Sequence, residues 1–291
     1  MARGDVRRCL LAFLAVLGVE LLIAGLAVAA EPEKIVQAQA ILTVSESKRL
    51  IGKAVAQMPI VKDALANGMV IVIKGTTNAY VAEEIAGQKV DHAAFVTGRV
   101  EPPKAAKKLP QVAAVNHLIL EKGKPVDIPL PEAVKKLKVG DVVIKGANAL
   151  DYKNKLAGVD IADPAGGTTG ITLPYVIARK AYLVIPVGLE KLVAGDLIEL
   201  SKKMREPIPS LNQGPFGGAG GFQSMFLLTG EIVTELEAIN ILTGATAFQC
   251  SAGGVSGAEG SVWLVFRGTR EQVTKALELA QSVQGEPPYT P

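Results

Sequence analysis

The chain has 291 residues, of which 49% are hydrophobic and 20% charged, and its formal net charge is +3 at pH 7. This is the composition of a folded globular protein with enough chain for one large or two modest domains. So small a net charge argues against nucleic acid or an anionic membrane surface as the main partner.

Residues 1–30 have the pattern of a secretory signal peptide. The basic residues at its start are Arg3, Arg7 and Arg8. An apolar run over 9–26, interrupted by Glu20, ends in small residues that favour cleavage after Ala29 or Ala30. We therefore expect an exported, periplasmic protein without stable membrane insertion. The alternative is an uncleaved N-terminal anchor, because the run is about the minimum spanning length; a charged Glu20 at mid-bilayer would be costly.

Few residues are available for redox or metal chemistry. Cleavage would leave Cys250 as the single cysteine, so the mature chain could form no internal disulfide. A lone cysteine in this context is more typical of a small buried residue than of a nucleophile. His92 and His117 are the only histidines, and neither has a Cys or His partner at metal-ligand spacing. We expect no metal, no cofactor and no Ser-His triad.

The stretch from Met69 to Ala86 organises the chain. Residues 69–73 form a continuous β-branched run typical of a buried strand, and residues 79–86 have a helical pattern. The turn between them consists of Lys74, Gly75, Thr76, Thr77 and Asn78. A strand, a Gly/Thr turn and a helix N-terminus direct free backbone N–H groups to one point, which favours a phosphate or carboxylate. A plain βα connection without a ligand would have the same pattern.

Two further loops have a similar character. Residues 140–145 predict a buried strand that runs into Gly146, Ala147, Asn148, Ala149, Leu150 and Asp151. Residues 163–170 include Gly166, Gly167, Thr168 and Thr169 and precede a predicted helix over 173–180. Alternating strands and helices predict an α/β fold with a mostly parallel, Rossmann-like sheet and helices on both faces. Ligands bind beyond the carboxyl ends of the strands in such sheets, where we expect all three loops.

The chain divides by composition into four parts. After the signal peptide at 1–30, we assign 31–205 to the Rossmann-like domain, with residues 31–39 as a polar lead-in. A glycine-rich connection follows at 206–228. Residues 229–291 predict a small α+β, ferredoxin-like lid unit of strand–helix–strand–strand–helix type.

This order of elements resembles the ribose-5-phosphate isomerase A group, within the superfamily of sugar isomerases, deaminases and coenzyme A transferases. The resemblance covers residues 45–291. Residues 74–83 are similar to the family's phosphate loop, 146–151 lie where it has an acidic motif, and 163–170 lie where it has a Lys-Gly4 motif. Residues 184–193 resemble its next strand and Lys-Leu-Val segment. The resemblance implies the predicted fold and a phosphorylated sugar ligand.

The acids that this family uses are missing. Asn148 and Ala149 stand in place of the second Asp and the Glu of the acidic motif, and Lys145 stands in place of its first Asp. Isomerisation through an enediol needs a carboxylate base, which Asn cannot be. Lys145, Asp151 and Asp163 remain as a possible catalytic set, although an Asp after a strand is more often a turn residue.

We therefore expect an exported protein that binds a small anionic ligand such as a sugar phosphate or nucleotide, and the sequence leaves open a homodimer. The expected ligand-binding residues are Lys74, Gly75, Thr76, Thr77, Asn78, Gly146, Asn148, Gly166, Gly167, Thr168 and Thr169. One alternative is an active isomerase or lyase with altered acid–base residues. Another is a coenzyme A transferase-like enzyme, for which residues 218–222 resemble a signature, although in the wrong place along the chain.

Overall fold

The structure is a computed structural model that describes residues 34–97, 115–208 and 224–289. The predicted signal peptide, most of the glycine-rich connection and the signature at 218–222 lie outside these ranges. Among the described residues, no helix has the length and apolar character needed to cross a membrane.

The described strands and helices alternate irregularly along the chain. The strands are β1 (Val36–Leu42), β2 (Met69–Val72), β3 (Leu118–Glu121), β4 (Lys124–Pro125), β5 (Val142–Ile144), β6 (Ala149–Asp151), β7 (Leu156–Ile161), β8 (Tyr182–Pro186), β9 (Ser224–Leu228), β10 (Glu231–Val233), β11 (Thr246–Ala252) and β12 (Val262–Gly268). The α-helices are α1 (Val44–Gln57), α2 (Pro59–Asn67), α3 (Thr76–Ala86), α4 (Leu130–Lys135), α5 (Gly167–Arg179), α6 (Leu197–Lys203), α7 (Glu235–Thr243) and α8 (Arg270–Val283), with a 3₁₀ turn at Leu189–Lys191.

The strands form three sheets, and the prediction of a mostly parallel Rossmann-like sheet is wrong. The six-stranded sheet has the order β10-β8-β5-β2-β3-β4 and is mixed, because β3 runs antiparallel to both of its neighbours, β2 and β4. The sheets β1-β12-β11 and β6-β7-β9 are antiparallel throughout. Within the described ranges, six of the nine strand pairings are therefore antiparallel.

Tight turns account for part of this difference. Lys122 and Gly123 have φ values of 48° and 73°. Positive φ at both central residues is the geometry of a two-residue hairpin turn, which forces β3 and β4 to run antiparallel. A second hairpin joins β6 to β7, and Lys155 in its loop has φ 52°. Both connections are too short for the helical crossover that parallel strands require.

The C-terminal part of the predicted fold also needs correction. β10 pairs in parallel with β8 in the six-stranded sheet rather than with its own neighbours in sequence. The third strand beside β11 and β12 is β1, which pairs with β12 from Val36–Gly268 to Leu42–Val262. The segment predicted as a polar lead-in thus completes the C-terminal sheet, and a separate ferredoxin-like unit does not form.

Helix α1 lies at the centre of the helical packing. It begins with a capping box in which Thr43 and Glu46 satisfy each other's backbone N–H groups, and it packs against α3 and α7. Arg49 on this helix is buried, with ion pairs to Glu83, to Glu84 (3.0 Å) and to Glu286 (2.9 Å). This one guanidinium joins α1 to α3 and to the chain that follows α8.

Replacing Arg49 by Met should therefore destabilise the protein strongly. Removal of one partner from a buried ion pair costs about 3–5 kcal/mol, because the remaining carboxylates stay buried without it. Lys53→Met is the matched control, since Lys53 is 35% exposed and lies 3.7 Å from Glu84. It should cost less than about 1 kcal/mol. Urea unfolding of both variants measures the difference, and equal losses would contradict the central role of Arg49.

Candidate functional site

A cavity of about 320 Å³ opens at the carboxyl ends of β2 and β5, and the three predicted loops meet there. All eleven residues expected to bind a ligand line it: Lys74, Gly75, Thr76, Thr77, Asn78, Gly146, Asn148, Gly166, Gly167, Thr168 and Thr169. The third loop does not come from the six-stranded sheet. It follows β7 of the antiparallel sheet β6-β7-β9 and reaches the cavity from that side.

The residues considered for catalysis are separated by the structure. Lys145 and Asp163 line the cavity, whereas Asp151 does not. The Asp151 carboxylate accepts hydrogen bonds from the backbone N–H of Asn154 (3.0 Å) and its side-chain amide (2.8 Å). Asp151 thus stabilises the β6–β7 turn, the role in which an Asp after a strand is most often found. Asp163 accepts from the N–H of Ala165 at 2.7 Å in a similar turn.

Two helices, α3 and α5, begin at the cavity without a cap. Their N-cap residues Gly75 and Gly166 offer no side chain, so among the described residues neither helix has a side-chain capping hydrogen bond. The other described α-helices start differently: α1, α7 and α8 have capping boxes, α6 has Asp196, and α2 and α4 have Pro in the first turn. The positive ends of both uncapped helices therefore remain available to an anion.

Asn78 in the first turn of α3 holds this arrangement in place. Its amide nitrogen donates to the carbonyls of Ile73 (2.7 Å) and Ile144 (3.2 Å), where β2 and β5 end. Its oxygen is buried and has no hydrogen-bond partner among the described residues, and the same is true of the Thr77 hydroxyl. An unsatisfied buried polar atom costs about 1–3 kcal/mol, so a ligand that donates to Asn78 would recover that energy.

Lys145 is a buried cation that lines the cavity. Only 6% of the residue is exposed, and burial lowers the pKa of its amine to about 8. Within the described ranges, the one hydrogen bond of this amine is to the Thr168 hydroxyl at 3.1 Å. A substantial fraction of Lys145 is thus neutral slightly above neutral pH, in contrast to an ordinary lysine.

His117 helps to position the loop after β2. Its Nδ1 accepts a hydrogen bond from the backbone N–H of Lys74 at 3.0 Å. Burial, together with the positive charges of Lys74 and Lys145, lowers the pKa of His117 to about 4. The ring is therefore neutral at physiological pH, as its acceptor role requires.

Two charged residues of the cavity lining were missed by the sequence-based predictions. Lys191, from the 3₁₀ turn after β8, lines the cavity and donates from its amine to the carbonyl of Ala147 at 2.7 Å. Asp160, near the end of β7, also lines it, and burial raises the pKa of its carboxyl group. The position of Lys191 just after a buried strand was the available signal. For Asp160 there was none, because β7 was not predicted as a strand.

A second group of charges lies beside Lys191, outside the cavity lining. Burial lowers the pKa of the Lys191 amine, while Glu190 and Glu235 act in the opposite direction. Burial and the nearby charge of Glu190 raise the pKa of Glu235 to about 7. Glu235 also accepts from the N–H of Leu189 at 2.9 Å, which fixes the 3₁₀ turn. These carboxyl groups favour the charged form of Lys191 beside the cavity.

Taken together, the cavity offers two helix N-termini and three lysines, with Asp160 and Asp163 as the acids in its lining. Comparison of the chain with protein-family models, curated proteins and solved structures found no match. The resemblance to the sugar isomerase superfamily therefore stays a prediction that rests on the quoted motifs.

The Lys145 amine should titrate near pH 8. Burial disfavours its charged form. The chemical shifts of its side chain should therefore change with a midpoint roughly two pH units below that of exposed lysines, which titrate at about 10.4. Lys145→Arg removes the resonance and so assigns it, and Lys62→Arg, on the exposed side of α2, serves as the control. Titration of Lys145 together with the exposed lysines would contradict the burial of this amine.

Proposed function

We propose that this protein binds a small anion, a phosphate or carboxylate attached to a hydroxylated compound, in the cavity at residues 74–78, 145–148 and 166–169. The observation that carries the proposal is the convergence of two uncapped helix N-termini with the amines of Lys74, Lys145 and Lys191 on one cavity. Each of these features favours negative charge, and no described α-helix elsewhere lacks both a cap and an N-terminal Pro.

The size and polarity of the cavity narrow the ligand class. A volume of about 320 Å³ is at the lower end of the range of small-molecule pockets, roughly 300–1,000 Å³. This suits a compound of a few carbon atoms rather than a nucleotide. The free acceptor on Asn78 and the free hydroxyl of Thr77 support a ligand that also has hydroxyl groups. An anion without a proton to donate could accept from the Thr77 hydroxyl but would leave the Asn78 oxygen unsatisfied.

The available side chains favour binding over isomerisation of the familiar kind. Asn148, in place of the second Asp of the family's acidic motif, is exposed, and its side-chain oxygen accepts from the N–H of Asp160 at 3.2 Å. It cannot remove a proton from a sugar carbon. Ala149, in place of the Glu, has no polar side chain.

Inorganic phosphate should raise the free energy of unfolding of the protein. A ligand at 100 times its dissociation constant adds about 2.7 kcal/mol. Thr76→Asp places a negative charge in the first turn of α3, where it favours the helix itself but repels an anion. In this variant the apparent affinity for phosphate should be lower by a factor on the order of ten, because about 1.4 kcal/mol of repulsion corresponds to that factor.

Thr76→Asn is the matched control, because it differs from Thr76→Asp only in charge and should retain the phosphate effect. The comparison also removes the general stabilisation that phosphate gives many proteins, which both variants would share. Bound phosphate should in addition raise the pKa of Lys145 above about 8, because an opposite charge favours the ammonium form. Equal responses of the Asp and Asn variants would refute binding at this cavity.

A further inference from the structure

We propose that Lys145 forms a reversible imine with the bound ligand, which would make the ligand a small phosphorylated or carboxylated aldehyde or ketone. This inference rests on the proposed anion binding, since the anion would bring the carbonyl group to the amine. It adds a covalent step and a substrate class to the site.

The position of Lys145 carries this inference. The residue directly follows β5, whose strand neighbours β2 and β8 hold it on both sides, so its backbone is fixed by the sheet. Its side chain is more than nine-tenths buried yet lines the cavity between the first turns of α3 and α5. Within the described ranges no carboxylate forms an ion pair with it, so nothing there holds the amine in its charged form.

Thr168 is a suitable partner for an amine that changes charge. Its hydroxyl lies 3.1 Å from the amine nitrogen and can accept from the ammonium form or donate to the neutral form. The desolvated amine, with a pKa of about 8, has on the order of a hundredfold larger neutral fraction at neutral pH than an exposed lysine. A lysine in a hydrophobic or cationic pocket is the usual nucleophile for carbonyl substrates.

Lys191 is less suited to this reaction. Its amine donates to the Ala147 carbonyl, and the nearby carboxyl groups of Glu190 and Glu235 favour its ammonium form. Burial still lowers the pKa of this amine, but its hydrogen bond to a backbone carbonyl holds it away from a carbonyl ligand. The two buried lysines are thus held differently, Lys191 by the Ala147 carbonyl and Lys145 by the Thr168 hydroxyl.

The covalent step balances without a co-reactant. The neutral amine of Lys145 adds to the carbonyl carbon, and a proton passes from nitrogen to oxygen to give a carbinolamine. The hydroxyl group then leaves as water while the C=N bond forms, and the second proton on nitrogen accounts for the water. Hydrolysis reverses both steps, and no electron transfer is involved.

Reductive trapping tests the imine. Wild-type protein would be incubated with glyceraldehyde 3-phosphate and cyanoborohydride, digested, and analysed by mass spectrometry. One adduct should dominate, on the peptide that contains Lys145, with a mass increase equal to the ligand less one oxygen atom. Glycerol 3-phosphate, which lacks the carbonyl group, should form no adduct and should suppress the labelling by occupying the cavity.

Variants and a second aldehyde separate the imine from the anion site. Lys145→Arg should abolish the dominant adduct, and Lys62→Arg on the exposed side of α2 should leave it unchanged. Labelling spread over exposed lysines, or centred on Lys191, would overturn the imine even if phosphate stabilises the protein. If unphosphorylated glyceraldehyde labels Lys145 equally well and phosphate has no effect, the imine stands and the anion site fails.

Discussion

The candidate site depends on one buried side-chain amide, that of Asn78. Its nitrogen bridges the carbonyls at the ends of β2 and β5, and the residue itself belongs to the first turn of α3. Asn often caps helices, but Asn78 lies three residues after the cap position, which is Gly75, and its amide nitrogen joins the two strands. The helix N-terminus is therefore held against the sheet and left without a cap, and its free N–H groups are directed into the cavity.

A second polar side chain secures the same strand pair at its other end. The Asp141 carboxylate accepts hydrogen bonds from the N–H groups of Met69 (2.8 Å) and Lys138 (2.7 Å). A side chain at Gly68 would overlap this carboxylate, so the close approach requires glycine. With both ends of the pair tied, the loops after β2 and β5 start from fixed positions. Such a site is largely formed before a ligand arrives, which lowers the entropic cost of binding.

The local features of the site were predictable, whereas the strand directions were not. A buried β-branched run, a Gly/Thr turn and a helix follow one another within eighteen residues at 69–86, and short-range patterns of this kind can be read directly. The antiparallel pairings depend on backbone angles at Lys122 and on contacts between distant segments. The strand β1 had a signal, since apolar and polar residues alternate over 36–40, but its partner β12 lies more than 200 residues away. Lys191 likewise reaches the cavity only because segments that are far apart in the sequence pack together.

The pairing of β1 with β12 constrains when the chain can fold. The first described strand has no partner until the last strand has been synthesised, and Arg49 must wait for Glu286 in the same way. Contacts between such distant segments form late, because the intervening chain must first be brought together. For a chain that is exported, as the pattern of residues 1–30 predicts, late pairing of β1 with β12 would favour an open chain during translocation.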